Sequence, residues 1–227
     1  MHHILKNHSI LYVEDEPEIQ SNIAEYLGNY FSNVYLAANG EEALEQYYKY
    51  HPDVLLLDIN LPKLDGLSVA KEVREKDHSV KIIMLTAFTE KEKLLKATEL
   101  KLTKYLIKPV PPKEFKETLE ILAQELINNP SRYLNLSDCY TWDREQEQLN
   151  LNDSLVNLTE KEHRLLKLFI VNKSKTISYE KIMVEVWEDA FEREISIDSV
   201  KNQVSQLRKK LPAGCVASVY GEGYVLK

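Results

Sequence analysis

The sequence predicts a doubly wound α/β domain followed by a smaller α+β domain. The chain has 227 residues, a length that fits one large domain or two small ones. Short apolar runs alternate with amphipathic segments of helical spacing in the first half of the chain, but not in the second half. Residues 128–132, which begin Asn-Asn-Pro-Ser, interrupt the last helical pattern and are predicted to form a short linker.

Five short apolar runs in the first half are predicted to be strands. They cover residues 10–13, 33–37, 54–57, 81–85 and 105–107. Runs of this kind are typical of parallel strands buried on both faces. Segments with helical spacing follow the runs, at residues 18–27, 41–50, 68–75, 91–100 and 113–127. The repeated order of strand and helix predicts a five-stranded parallel sheet over residues 1–127.

The second domain, residues 133–227, is predicted to contain small antiparallel strands, three helices and a hairpin. Residues 133–158 mix short apolar segments with Asp, Asn and Ser. The stretch Thr159-Glu-Lys-Glu162 has capping-box spacing ahead of a helix to about Val171. Apolar spacing predicts further helices over residues 178–186 and 200–211, and Gly221-Glu-Gly223 separates two apolar strands. Three helices followed by a hairpin form a winged helix-turn-helix arrangement.

The distribution of charge differs between the two halves. Residues 1–130 hold 15 basic and 21 acidic residues, and residues 131–227 hold 14 and 15. An acidic first half argues against nucleic-acid binding there. Residues 199–227 carry five basic residues and one acidic residue, which indicates either a nucleic-acid footprint or a solvated helix face.

The composition also bears on the cellular compartment. Two cysteines cannot form a disulfide framework, so we expect a cytoplasmic protein. No stretch approaches the ~20 apolar residues of a membrane span. The first ten residues carry three histidines and are expected to be a polar terminus without a secretory signal.

Polar residues lie at the carboxyl ends of four predicted strands. Glu14 and Asp15 follow the first strand, Asp58 the third, Thr86 the fourth and Lys108 the fifth. These ends meet at one edge of a parallel sheet, so we expect the side chains to converge. Clustered carboxylates favour a hard divalent cation such as Mg²⁺. With an ammonium and a hydroxyl beside the metal, the set predicts a carboxylate that accepts a phosphoryl group.

Residues 8–127 resemble the receiver domain of two-component response regulators, which has a flavodoxin-like fold. The motifs that carry the resemblance are Tyr12-Val-Glu-Asp-Glu16, Leu55-Leu-Leu-Asp-Ile-Asn-Leu-Pro-Lys-Leu-Asp-Gly66, Met84-Leu-Thr-Ala87 and Tyr105-Leu-Ile-Lys-Pro109. The resemblance implies that Asp58 is the phosphoacceptor and that Lys108 pairs with the phosphoryl oxygens. It implies that Thr86 bonds to the phosphoryl group and that Tyr105 rotates inward behind it, as switch residues.

The same resemblance implies the cofactor Mg²⁺. The expected ligands are Asp15, Asp58 and the backbone carbonyl of Asn60, with Glu14 acting through water.

Residues 133–227 resemble the OmpR/PhoB-type effector domain. The resemblance rests on Leu158-Thr-Glu-Lys-Glu-His-Arg-Leu-Leu166, Val186-Trp187, Val204-Ser-Gln-Leu-Arg-Lys-Lys-Leu211 and Gly221-Glu-Gly-Tyr224. In this family the third helix enters the major groove and the hairpin reaches the minor groove. The residues expected to contact DNA are Asn202, Gln203, Ser205, Gln206, Arg208, Lys209 and Tyr220.

Two departures from the family pattern bear on that expectation. Ser205, Gln206 and Tyr220 stand where family members often carry arginine. Fewer phosphate contacts predict lower affinity and a shallower dependence on salt. Alternatively, the run Arg208-Lys-Lys210 is a solvated last turn that complements the helix dipole.

The resemblance implies a DNA-binding transcriptional response regulator that a sensor histidine kinase switches by phosphorylating Asp58. The receiver would assist its own phosphorylation and dephosphorylation and would otherwise not be an enzyme. The expected partners are the kinase, double-stranded promoter DNA and RNA polymerase, with no membrane. A homodimer is expected on activation, but its interface stays open because residues 101–104 and Thr118 lack the usual charges.

Two alternatives remain at this point. One is an atypical regulator of the same family that is constitutively dimeric and independent of phosphorylation. The other is a phosphoaspartyl hydrolase or phosphatase, against which Asn60 argues because such enzymes usually carry an acid there.

Overall fold

The computed structural model divides into two units, Met1–Tyr133 and Leu134–Lys227. The structure describes residues 2–87, 100–137, 139–152, 154–187 and 195–227. The helix predicted over residues 91–100 lies outside these residues except for its last position.

The first unit is built on a parallel sheet with the strand order β2-β1-β3-β4-β5. Its strands are β1 (Ser9–Val13), β2 (Asn33–Ala37), β3 (Val54–Asp58), β4 (Lys81–Thr86) and β5 (Lys104–Ile107). Every residue of β1, β3 and β4 is buried, which explains why these strands are almost continuously apolar. The predicted five-stranded parallel sheet is confirmed, and four strands begin or end one residue beyond the predicted limits.

Helices cover both faces of this sheet because alternate strand residues point to opposite sides. They are α1 (His2–Leu5), α2 (Pro17–Gly28), α3 (Gly40–Tyr50), α4 (Gly66–Lys76) and α5 (Pro112–Asn128). Leu11 and Leu55 belong to the core that includes α3 and α4, and Ile10 belongs to the core that includes α2 and α5. The polar N-terminal segment contributes one residue to the core, because Leu5 is fully buried in the core that includes α2 and α5.

The second unit begins with a sheet of order β6-β7-β8-β9, in which β7 pairs with β8 and β8 with β9 in antiparallel fashion. Its strands are β6 (Tyr133–Asn135), β7 (Tyr140–Asp143), β8 (Gln148–Leu151) and β9 (Ser154–Leu155). The elements that follow are α6 (Glu160–Val171), β10 (Ile177–Ser178), α7 (Tyr179–Val186), α8 (Ile197–Arg208), β11 (Val216–Val219) and β12 (Gly223–Leu226). The three helices and the terminal hairpin are confirmed.

Local interactions explain two features of this unit. The capping box is present, because the Thr159 amide donates to Glu162 and the Glu162 amide donates to the Thr159 hydroxyl. The short strand β10 was not predicted; it pairs with β12 and completes a three-stranded sheet. Gly223 permits that pairing, because a Cβ there would stand 1.9 Å from the Ile177 carbonyl oxygen.

Within the described ranges, no helix combines the length and the apolar character that a membrane span requires.

Candidate functional site

Five polar residues meet at the carboxyl edge of the parallel sheet, as the sequence predicts. Asp58 ends β3, Thr86 ends β4, and Lys108 follows β5. Glu14 and Asp15 follow β1 directly. Glu14 and Thr86 are each 1% exposed and Asp58 is 6% exposed, whereas Asp15 is open to solvent. The site therefore has a buried floor and one solvent-facing carboxylate.

Lys108 joins two of the carboxylates. Its Nζ donates to Asp58 Oδ2 at 2.5 Å and to Glu14 Oε2 at 2.7 Å. Burial disfavours the charged ammonium, but the hydrogen bonds to Asp58 and Glu14 outweigh it, so the pKa of Lys108 is raised. The ammonium thus stays protonated beside the carboxylates. The Lys108–Pro109 peptide bond is cis.

Glu14 has one satisfied and one unsatisfied carboxylate oxygen. Oε2 accepts from Lys108 and, at 3.1 Å, from the Tyr12 hydroxyl. Burial of Tyr12 and the nearby Glu14 charge raise the pKa of that phenol, so Tyr12 remains a donor. The buried Oε1 has no hydrogen-bond partner in the part of the chain that the structure describes. Such a buried oxygen calls for a cation, a water or a ligand.

The three carboxylates can share one cation. One ligand oxygen from each of Glu14, Asp15 and Asp58 lies within 4.8 Å of the other two. All three donors are hard oxygen atoms, the type that Mg²⁺ prefers. Together with the unsatisfied Glu14 oxygen, the residues present fit a magnesium ion.

The backbone around Asp58 is held in place by the residues that follow it. The Asn60 amide donates to Asp58 Oδ1 at 3.0 Å, and the Gly66 amide donates to the Ile59 carbonyl at 3.0 Å. Gly66 has no room for a side chain, because a Cβ would stand 2.0 Å from the Asp58 carbonyl oxygen. Sequence reasoning gave Gly66 no role. The sequence signal for Gly66 was its position directly after Asp65, which caps the N-terminus of α4.

The two predicted switch residues lie in different environments. Thr86 is buried, and its hydroxyl donates to the Ala87 carbonyl oxygen at 3.0 Å. Tyr105 lies on the edge strand β5 and is 51% exposed. The structure therefore shows the outward position from which the predicted inward rotation would start.

In the second unit, α8 presents a polar face. Its buried stripe consists of Val200, Val204 and Leu207. Four of the polar residues predicted to contact DNA are exposed on the rest of the helix or just beyond it, namely Asn202, Ser205, Gln206 and Lys209. Gln203 is half-exposed. Tyr220 is fully exposed in the turn between β11 and β12. We call the exposed polar positions on and just after α8, together with Tyr220, the α8 face, and treat them as the candidate nucleic-acid interface.

Arg208 is directed toward the hairpin. Its Nε donates to the Val216 carbonyl at 3.0 Å and its terminal nitrogen donates to the Ser218 hydroxyl at 3.0 Å. The guanidinium also lies 5.3 Å from the ring centre of Tyr224. Arg208 therefore ties α8 to β11 and β12, a role that sequence reasoning missed.

The basic charge near the α8 face is smaller than the sequence count suggests. Lys201 pairs with Asp198 at 3.1 Å, and Lys210 pairs with Glu162 at 2.7 Å. Both acids lie outside residues 199–227, so the count of that stretch could not include them. Lys209 donates to the Gln206 side chain and keeps its charge at the surface.

Comparisons with known proteins match both units. A model of the response regulator receiver domain matches residues 10–120, and a model of the C-terminal domain of transcriptional regulatory proteins matches residues 153–226. The probable transcriptional regulator ycf27 of Cyanidium caldarium is 32% identical over 216 residues, which cover 91% of this chain and 86% of the relative. The transcriptional regulatory protein CssR of Bacillus subtilis (strain 168) is 30% identical, covering 96% and 97%.

Among solved structures, the receiver domain of AraT, a response regulator from Geobacillus stearothermophilus, is similar to the first unit. It is 31% identical with a TM-score of 0.50, and the match covers 54% of this chain and 97% of that domain.

Proposed function

Because the chain belongs to the OmpR/PhoB-type response regulators, we propose that a sensor histidine kinase phosphorylates Asp58 and thereby controls binding to promoter DNA. The observation that carries this proposal is the contact of Lys108 with both Asp58 and Glu14. It puts a fixed positive charge beside a buried carboxylate at the edge of the sheet where ligands bind.

The chemistry proposed for Asp58 is nucleophilic. A carboxylate oxygen attacks the phosphorus of a phosphohistidine, the P–N bond breaks, and the imidazole nitrogen leaves with the bonding electron pair. Lys108 supports the negative charge of the phosphoryl oxygens. The Asn60 amide holds Oδ1 and so limits rotation of the carboxylate.

Magnesium is the proposed cofactor of this step. Asp15, Asp58 and the Asn60 carbonyl would hold it, with Glu14 acting through water. A bound Mg²⁺ supplies charge neutralisation to the transferring phosphoryl group.

Thr86 and Tyr105 are the proposed switch residues. Thr86 would release the Ala87 carbonyl and bond to the phosphoryl group. Tyr105 would then move inward from its exposed position on β5, which changes the surface on that side of the receiver. We propose that this change favours a homodimer.

The proposed DNA contacts use the α8 face. Asn202, Gln203 and Gln206 offer amides that can bond bidentately to adenine in the major groove. Ser205 and Lys209 suit base edges and phosphates, and Tyr220 would lie at the adjacent groove. Arg208 remains within reach of a phosphate, but its contacts also position the hairpin. Promoter-bound RNA polymerase is the further proposed partner.

Molar mass by light scattering tests the switch. Beryllofluoride with Mg²⁺ mimics the phosphoryl group on aspartate, and Asp58→Ala is the matched control that cannot bind it. We expect the mass to double only in the wild-type protein with beryllofluoride. A dimer in every sample would contradict the proposal and favour the constitutively dimeric alternative.

A further inference from the structure

A cavity lies at the end of the receiver sheet opposite Asp58. It has a volume of about 330 Å³ and adjoins the start of β4, the residues before β5 and the end of α5. Its charged lining residues, the exposed His78 aside, are Arg74, Lys81, Lys101 and Glu125. None of these residues takes part in the phosphoacceptor site.

Lys81 is a buried cation with unused hydrogen-bonding capacity. It is 6% exposed, and its Nζ donates to the Ser79 carbonyl at 2.9 Å. An ammonium has three N–H donors, and this is its one hydrogen bond within the described ranges. Burial lowers the pKa of Lys81, which means that the surroundings disfavour its charge.

Arg74 adds a second buried positive charge. It is 6% exposed and donates to four backbone carbonyls, those of Asp77, Val80, Leu100 and Lys101. Neither Arg74 nor Lys81 forms an ion pair with a carboxylate in the described part of the chain. Burial lowers the pKa of Arg74 as well.

The cavity wall offers little compensation for these charges. Its one carboxylate among the described lining residues is Glu125, which accepts from the Thr103 hydroxyl at 2.7 Å. Lys101 adds a third positive charge at the surface. Nearby carboxylates such as Asp77 and Glu125 offset only part of the cost of burying Arg74 and Lys81, because burial is the larger effect on both pKa values. An anion that enters the cavity would therefore gain from these two charges and from Lys101.

We propose that this cavity binds a small organic dianion, a phosphate monoester or a dicarboxylate. Three cations and one carboxylate line the cavity, so its wall stays positively charged even with the buried Asp77 close to Arg74 and Lys81. A volume of about 330 Å³ exceeds that of a simple inorganic anion. The anion takes the free N–H donors of Lys81 and lies beside the guanidinium of Arg74.

Binding at this place would affect the chain that leaves the receiver. Asn128 and Asn129 line the cavity at the end of α5. Ser79, another lining residue, accepts a hydrogen bond from the Arg132 amide at 2.6 Å. A bound dianion therefore stabilises the end of α5 and the segment after it, independently of phosphorylation at Asp58.

Amide NMR of the full-length protein tests this proposal. The probes are malonate and glycerol 3-phosphate, titrated at constant ionic strength against sodium chloride. We expect saturable shifts of the Lys81, Leu102 and Thr103 amide signals with at least one probe. Tighter binding of malonate would identify a dicarboxylate as the ligand class, and tighter binding of glycerol 3-phosphate would identify a phosphate monoester. The same shifts should appear in Asp58→Ala, which separates this site from the phosphoacceptor.

Lys81→Met is the decisive variant, and Lys71→Met, an exposed position on α4, is its matched control. Lys81→Met should remain folded because it removes a buried charge. The probe concentration that half-saturates the shifts should rise about tenfold or more in this variant. Lys71→Met should bind as the wild type does. The proposal is overturned if neither probe gives saturable shifts in the wild type, or if Lys81→Met binds equally well. If Lys81→Met is unfolded, Lys81→Gln serves the same comparison.

Discussion

The Lys108 ammonium lies 2.5 Å from the Asp58 carboxylate, although the two residues are 50 positions apart in the sequence. Asp58 ends β3 and Lys108 follows β5, and β4 lies between these strands in the sheet. The contact therefore depends on the order of the strands. The fold creates the chemistry of the site by bringing the carboxyl ends of separate strands together.

Magnesium should stabilise the protein through Asp15. Removing a charge from the carboxylate cluster weakens metal binding, so Asp15→Asn should lose most of the Mg²⁺-dependent stabilisation seen in the wild type. That stabilisation is about 1.4 kcal/mol at a Mg²⁺ concentration ten times the dissociation constant. Chemical denaturation with Mg²⁺ or with EDTA measures it. Glu16→Gln, at the neighbouring exposed acid, should respond like the wild type, and equal responses of all three proteins would contradict the assignment.

Gly66→Ala should destabilise the first unit. A methyl group at this position would stand 2.0 Å from the Asp58 carbonyl oxygen, so the backbone beside Asp58 must move. We expect a loss of about 2 kcal/mol or more in the free energy of unfolding, and slower phosphorylation. Gly28→Ala is the matched control, because no atom lies within 4 Å of its added Cβ. A Gly66→Ala protein as stable as Gly28→Ala would rule out this packing role.

Arg208 and Lys209 should differ in how they affect DNA binding. Arg208→Lys keeps the charge but loses contacts with β11, so affinity should fall while the salt dependence stays unchanged. Lys209→Ala should leave stability unchanged and make the slope of log affinity against log salt shallower by about 0.9. Fluorescence anisotropy with duplex DNA at several salt concentrations measures both. Wild-type affinity in Arg208→Lys would mean that Arg208 acts through its charge and not through its contacts with β11.

Glu162 should contribute to stability in a pH-dependent way. Burial raises the pKa of Glu162, but the hydrogen bonds from Lys210 and Thr159 together lower it by a larger amount. The net effect is a lowered pKa. A lowered folded-state pKa gives stability above the unfolded value of about 4.3, and that stability is lost as the pH falls through the folded value.

The variant Glu162→Gln tests this contribution. The difference in unfolding free energy between wild type and Glu162→Gln should narrow as the pH falls below about 4. Glu160→Gln, which changes an exposed acid in the same first turn of α6, is the control and should show little of this change. A difference that is constant from neutral to acidic pH would contradict the role of the Glu162 charge.

The sequence could predict the sheet and the acidic cluster because both follow from local patterns. Continuous apolar runs mark strands buried on two faces, and the polar residue after each run marks the functional edge. Arg208 could not be assigned in this way, because its partners Val216 and Ser218 depend on how the hairpin packs against α8. The pairing of Lys210 with Glu162 could not be predicted from the sequence either, because the two residues are 48 positions apart and meet only in the folded domain.

The central claim is that Asp58 accepts a phosphoryl group, and intact-protein mass spectrometry tests it most directly. The wild-type protein is incubated with Mg²⁺ and a small phosphodonor such as acetyl phosphate, beside Asp58→Asn and the control Asp53→Asn. We predict the mass of one added phosphoryl group in the wild type and in Asp53→Asn, and no addition in Asp58→Asn. An equal addition to Asp58→Asn, or none to the wild-type protein, would contradict the account.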